Sequence, residues 1–116
     1  MLILEDEILI ISANAIAKIN EDLIGCKIQD NRYKSCLSSY FYYDSKYEQI
    51  ASIVRSLIKD HYFPDANKRT AFCVFMVLCR INNIKVDKSD NELINLFVNI
   101  AENNYDVSYI TELLFN

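Results

Sequence analysis

His61-Tyr62-Phe63-Pro64-Asp65-Ala66-Asn67-Lys68-Arg69-Thr70-Ala71 runs directly into Phe72-Cys73-Val74-Phe75-Met76-Val77-Leu78-Cys79. The first part gathers the only histidine and the only proline of the chain with a carboxylate, an amide and two cations. The second is its most apolar run. Pro64 stops any helix arriving from the N-terminal side, and the apolar run predicts a new helix from about Ala66 to Ile81. A helix that is apolar on every face belongs in the middle of a fold, covered by its neighbours. The polar residues therefore sit at the N-terminus of a buried helix. Unpaired N–H groups and the positive end of the helix dipole make such a place an anion site.

Outward from this stretch the pattern is helix after helix. Residues from about Glu7 to Leu23 carry Ile8, Ile11, Ala15, Ile19 and Leu23 at helical spacing, and Gly25 follows as a natural stop. Ser45-x-x-Glu48 matches a capping box and opens a helix to about Asp60, with Ile50, Ile53, Val54 and Leu57 on its apolar face. Asn82-Asn83 ends the next helix. Ser89-x-x-Glu92 opens another to about Glu102, and Asp106 caps a last one to about Phe115. Residues 26–44 are the least helical, and Tyr40-Phe41-Tyr42-Tyr43 has strand propensity, which predicts a short β hairpin or flap there. The predicted architecture is all-α: a single domain over residues 1–116, a compact bundle of five to six helices around a buried central helix.

Composition agrees. The chain has 116 residues, 52% of them apolar, enough for one domain with a real core. One glycine and one proline are too few for the tight turns of an all-β domain. A net charge of −4 provides no general basic field, so direct DNA binding is not expected. No stretch reaches the roughly 20 apolar residues of a membrane span. Met1-Leu2-Ile3-Leu4 runs into Glu5-Asp6-Glu7, unlike a signal peptide, so a cytoplasmic location is expected. Cys26, Cys36, Cys73 and Cys79 lack the spacing of a zinc site or a disulfide framework.

A lone histidine is usually structural, but His61 has informative neighbours. Asp65 stands where a loop carboxylate can hold a divalent cation. Asn67 stands where an N-cap or a phosphate-facing amide belongs. Lys68 and Arg69 are cations in a first helical turn, a placement that costs roughly 0.3–1 kcal/mol each against the dipole. A polyphosphate ligand would compensate them.

His61-x-Phe63-x-Asp65-Ala66-Asn67-Lys68-Arg69-Thr70-Ala71 resembles the signature of the Fic/Doc family, in the form typical of the Doc (death-on-curing) toxins. Residues 46–60 look like the family's preceding helix, residues 71–115 like its central helix and those that follow, and residues 25–37, more loosely, like the segment before its flap. The resemblance implies the Fic fold and a set of roles. His61 would be the general base that takes a proton from a hydroxyl of a target protein, as suits an imidazole. Asp65 would bind Mg²⁺, and Asn67, Lys68 and Arg69 would hold the phosphates of ATP or another nucleoside triphosphate. Phe63 would anchor the loop in the core.

The Fic form of the signature is H-P-F-x-x-G-N-G-R-x-x-R. Here Lys68 replaces its second glycine and Phe72 its last arginine. The Doc-like form is associated with a reversed nucleotide that presents its γ-phosphate. This implies a kinase-like phosphotransferase acting on a Ser/Thr hydroxyl of a translation factor, elongation factor Tu by family precedent, and arresting translation. The alternatives are AMP transfer and a non-catalytic binding module. The family's inhibitory pattern is [ST]-x-x-x-E-[GN]; its nearest match, Ser108-x-x-x-Glu112, is followed by Leu113. A separate antitoxin protein is therefore the expected partner, lying in an apolar groove.

Overall fold

A computed structural model describes residues 8–116. Those residues form five α-helices and two short 3-10 turns, with no strand among them. The helices are α1 (Ala13–Ile24), α2 (Lys46–Lys59), α3 (Asn67–Ile81), α4 (Asp90–Glu102) and α5 (Val107–Phe115). The all-α class is as the sequence predicts.

Local chemistry sets most of the boundaries. The hydroxyls of Ser12, Ser45 and Ser89 and the carboxylate of Asp106 each accept a backbone N–H in the first turn of their helices. At Ser89 the capping box is complete, with Glu92 reaching back to the Ser89 N–H. α1 ends at Gly25, whose φ of 76° is left-handed and whose N–H donates to the Glu21 carbonyl at 2.8 Å.

The first helix is shorter than its apolar spacing suggests. Glu7 lies outside the described residues, and residues 8–11 precede the Ser12 cap without being helical. Leu9 is held instead by Asn82 at the end of α3. The Leu9 N–H donates to Asn82 Oδ1 and Asn82 Nδ2 donates to the Leu9 carbonyl, both at 2.8 Å. This side chain imitates a neighbouring strand and competes with helix formation.

The hairpin expected within residues 26–44 does not form. The 3-10 turns Arg32–Ser35 and Tyr40–Tyr42 take its place. Cys36 is fully buried, while Tyr33, Leu37, Tyr40 and Tyr43 pack partly buried against the core. That is a spacing of three to four, suited to tight helical turns rather than to an alternating strand. Strand propensity acts only where there is a sheet to join.

α2 is the most enclosed helix. It packs against α3, α4, α5 and the second 3-10 turn, and it buries Ile50, Ala51, Ser52, Ile53, Val54, Leu57 and Ile58. Burying each of its large aliphatic side chains is worth about 1.5–3 kcal/mol relative to exposure. The central position expected for α3 thus belongs more to α2. α3 is covered by α1, α2 and α4, but its remaining side is open, with Met76 at 42% exposure. An apolar groove of about 470 Å³ runs there, floored by Phe72 and Cys73 and walled by Leu23 of α1 and Ile94 and Val98 of α4. Cys36 and Cys79 are core side chains; burial pushes their thiols up to about 11 and about 12 respectively, as befits inert small hydrophobes.

Asn82 also donates to the Leu78 carbonyl at 2.7 Å, so one amide closes α3 and ties residue 9 to it. Asn82→Ala is expected to lower stability by about 1–2 kcal/mol without changing the m-value, measured by urea unfolding.

Candidate active site

The loop between α2 and α3 is shaped by one apolar anchor. Phe63 is 2% exposed, and its ring lies nearly parallel to that of Tyr33, with centroids 6.3 Å apart. The ring lies in the core, between the end of α2 and the start of α3. The chain must leave α2, bury Phe63 and start α3 within a few residues. It does so through left-handed conformations at His61 (φ 51°) and Ala66 (φ 61°). Neither is glycine, so both carry steric strain. The strain puts His61 and Asp65 on the surface, at the mouth of α3.

Asn67 fastens the loop. Its Oδ1 accepts the Phe63 N–H at 3.2 Å and its Nδ2 donates to the Phe63 carbonyl at 2.9 Å. The amide expected to face phosphate thus binds the Phe63 backbone at both its oxygen and its nitrogen, because the buried Phe63 backbone needs both bonds. Asn67 lines the cleft as the first residue of α3, with its backbone N–H in the first turn.

α3 alone among the five helices begins without a side-chain cap, because its N-cap is Ala66. Its first N–H groups open onto a cleft of about 500 Å³, a size that suits small-molecule ligands. His61, Asp65, Lys68 and Arg69 all line this cleft, so the structure brings together the residues singled out from the sequence. Lys68 and Arg69 are exposed, and neither has a carboxylate partner among the described residues. The combination of an uncapped helix N-terminus and two unpaired cations suits an anion of more than one charge.

The Asp65 side chain is exposed, with Oδ1 accepting the Ala66 N–H at 2.7 Å. Among the described residues, no group of three or more His, Cys, Asp or Glu side chains could hold a metal by itself. Mg²⁺ is commonly held by one or two carboxylates together with the phosphates of a substrate. Asp65, an accessible carboxylate beside Lys68, Arg69 and the first turn of α3, fits an ion that arrives with a nucleotide.

Several contributors carry little sequence signal. Ala101 and Glu102, at the C-terminal end of α4, form the opposite wall of the cleft. Two cations one turn apart on α2 hold that wall. Lys59 Nζ donates to the carbonyls of Ala101 (3.2 Å) and Asn103 (2.7 Å). Arg55 donates from Nε to the Tyr105 carbonyl at 2.8 Å and from its guanidinium to Asn104 Oδ1 at 3.1 Å. Their contacts depend on tertiary placement, which spacing alone does not reveal. Asn20 is the third. It is fully buried on α1 beside Ile16 and Ala17, and its Nδ2 donates to the Asp65 carbonyl at 2.9 Å and to Thr70 Oγ1 at 3.0 Å. A polar residue one turn after Ile16 on the apolar stripe is the signal that could have flagged it.

Ala66→Gly is expected to stabilise the fold by about 0.5–1 kcal/mol, the relief of left-handed strain outweighing the entropy of a freer unfolded chain. Urea unfolding of the variant checks this, and a loss of stability would contradict the strain assigned to residue 66.

No helix among the described residues is long and apolar enough to cross a membrane. No curated protein matches the chain. A family model described as the Fic/DOC family matches residues 6–79, more than half of the 116 residues and including the whole loop from His61 to Arg69. Members of that family are typically transferases that use ATP. The chain belongs to the Fic/DOC family.

Proposed function

We propose that this chain is a toxin of the Doc type, a kinase that moves the γ-phosphoryl group of ATP to a Ser/Thr hydroxyl of a translation factor and so arrests translation. Elongation factor Tu is the target suggested by family precedent. The observation that carries the kinase reading over AMP transfer is the environment of Phe72. Its ring packs edge-on against Phe97, with centroids 5.8 Å apart, and floors an apolar groove. Where adenylylating members carry a second arginine, this chain has an aromatic ring committed to packing. Lys68 adds a cation where those members have glycine, so the cationic grip lies beside His61 rather than a turn further along α3.

The chemistry asked of these residues is positioning and charge neutralisation. The target hydroxyl oxygen forms a bond to the γ-phosphorus while the bond from that phosphorus to the β,γ-bridging oxygen breaks, and ADP leaves. His61, exposed at the cleft mouth, takes the hydroxyl proton. Lys68, Arg69 and the first N–H groups of α3 hold the phosphates. Mg²⁺, held by Asp65, would neutralise charge on them. Asn67 keeps the loop in register through Phe63. The antitoxin would be a separate protein whose amphipathic segment covers the groove over Phe72, Cys73, Ile94 and Val98. Lys68 and Arg69 at the groove's end would favour an acidic residue there.

The test uses purified protein, Mg²⁺ and purified elongation factor Tu or whole bacterial lysate, in parallel reactions with ATP labelled at the γ- or the α-phosphate. Label from the γ position alone on a discrete band is expected, reduced by at least about 100-fold in His61→Ala with the fold intact. Label from the α position would make the chain an AMP transferase. No label from either would favour a binding module.

A further inference from the structure

We infer that Asn20 of α1 is a positioning residue for the metal-binding carboxylate of the cleft, acting through Asp65. This rests on the reading of Asp65 as the residue that holds Mg²⁺.

Asp65 is pinned from two sides. Its carboxylate accepts the Ala66 N–H, which fixes the side chain against its own backbone. Its carbonyl accepts the Asn20 amide, which fixes that backbone against α1. The same amide nitrogen donates to Thr70 Oγ1 in the first turns of α3. One buried side chain thus locks the two flanks of the left-handed turn at Ala66 to a third element. Relaxation of that strained turn would rotate Asp65 away from the cleft.

Asn20 makes a bond that the apolar residues around it could not make. It is fully buried, and its Oδ1 has no hydrogen-bond partner among the described residues. An unsatisfied buried acceptor costs stability, and an aliphatic residue in the stripe with Ile16 and Ala17 would avoid that cost. What an aliphatic residue could not do is reach the Asp65 carbonyl. Outer partners of metal ligands characteristically act in this way, orienting the ligand without touching the ion.

The test measures binding rather than turnover. Mg²⁺ is titrated calorimetrically into protein saturated with a non-hydrolysable ATP analogue. Asn20→Leu keeps the branching at Cγ and removes the donor. Thr70→Val removes only the Thr70 arm and serves as the control for general loosening. Asn20→Leu is expected to weaken apparent Mg²⁺ affinity about 10–100-fold, and Thr70→Val to leave it within about twofold, even where both change the melting temperature. Should Asn20→Leu fail to fold, Asn20→Ser, whose hydroxyl is too short to span to Asp65, carries the same expectation. Unchanged Mg²⁺ affinity in the folded Asn20 variant, or an equal loss in Thr70→Val, overturns the inference while leaving the proposed function standing. A wild-type protein that binds no Mg²⁺ with the analogue overturns both.

Discussion

Burial of the Phe63 ring is the constraint on which the cleft depends. The ring must reach the core between the end of α2 and the start of α3, and Asn67 grips its backbone on both sides. The chain can meet these demands only by turning left-handed at His61 and again at Ala66. Those turns lift His61 and Asp65 to the surface and leave α3 without a side-chain cap. The strain is therefore tied to the geometry of the cleft, a common arrangement at functional sites.

The walls of the cleft are held from outside. α2 delivers the loop at its C-terminal end, and through Arg55 and Lys59 it also holds the α4–α5 turn across the cleft. One helix thus sets the distance between the two walls. α1 contributes from the other side through Asn20. α3, which carries Lys68 and Arg69, is gripped at its start by this scaffold, while its open side remains apolar. The polar cleft and the apolar groove share Lys68 and Arg69, so a protein segment laid in the groove would compete for the cations proposed to hold a nucleotide. This gives a physical route by which an antitoxin could inhibit.

Features governed by neighbours in sequence are legible without coordinates. Ser45, Ser89 and Asp106 cap the helices expected of them, and Gly25 stops α1, because caps and stops are local hydrogen-bond chemistry. The mixed motif from His61 to Arg69 is legible because its residue types are unusual together. What depends on tertiary partners is not. The aromatic segment at 40–43 has strand propensity but no strand to pair with, and the core takes it as a 3-10 turn. The apolar run of α3 suggests cover on every side, yet α1 and α4 leave a strip of it open. Asn67 looks like a phosphate ligand until the backbone of Phe63 is seen to occupy both ends of its amide. Arg55 and Lys59 draw no attention in the sequence, and their role rests on the α4–α5 turn coming within their reach.

The orientation of the nucleotide is the centre of this account, and a crystal structure with Mg²⁺ and a non-hydrolysable ATP analogue tests it most directly. The account predicts the terminal phosphate beside His61 and Asp65, with the α-phosphate and base leading away from them. An α-phosphate beside His61, with the terminal phosphate pointing along α3 towards Phe72, would contradict it.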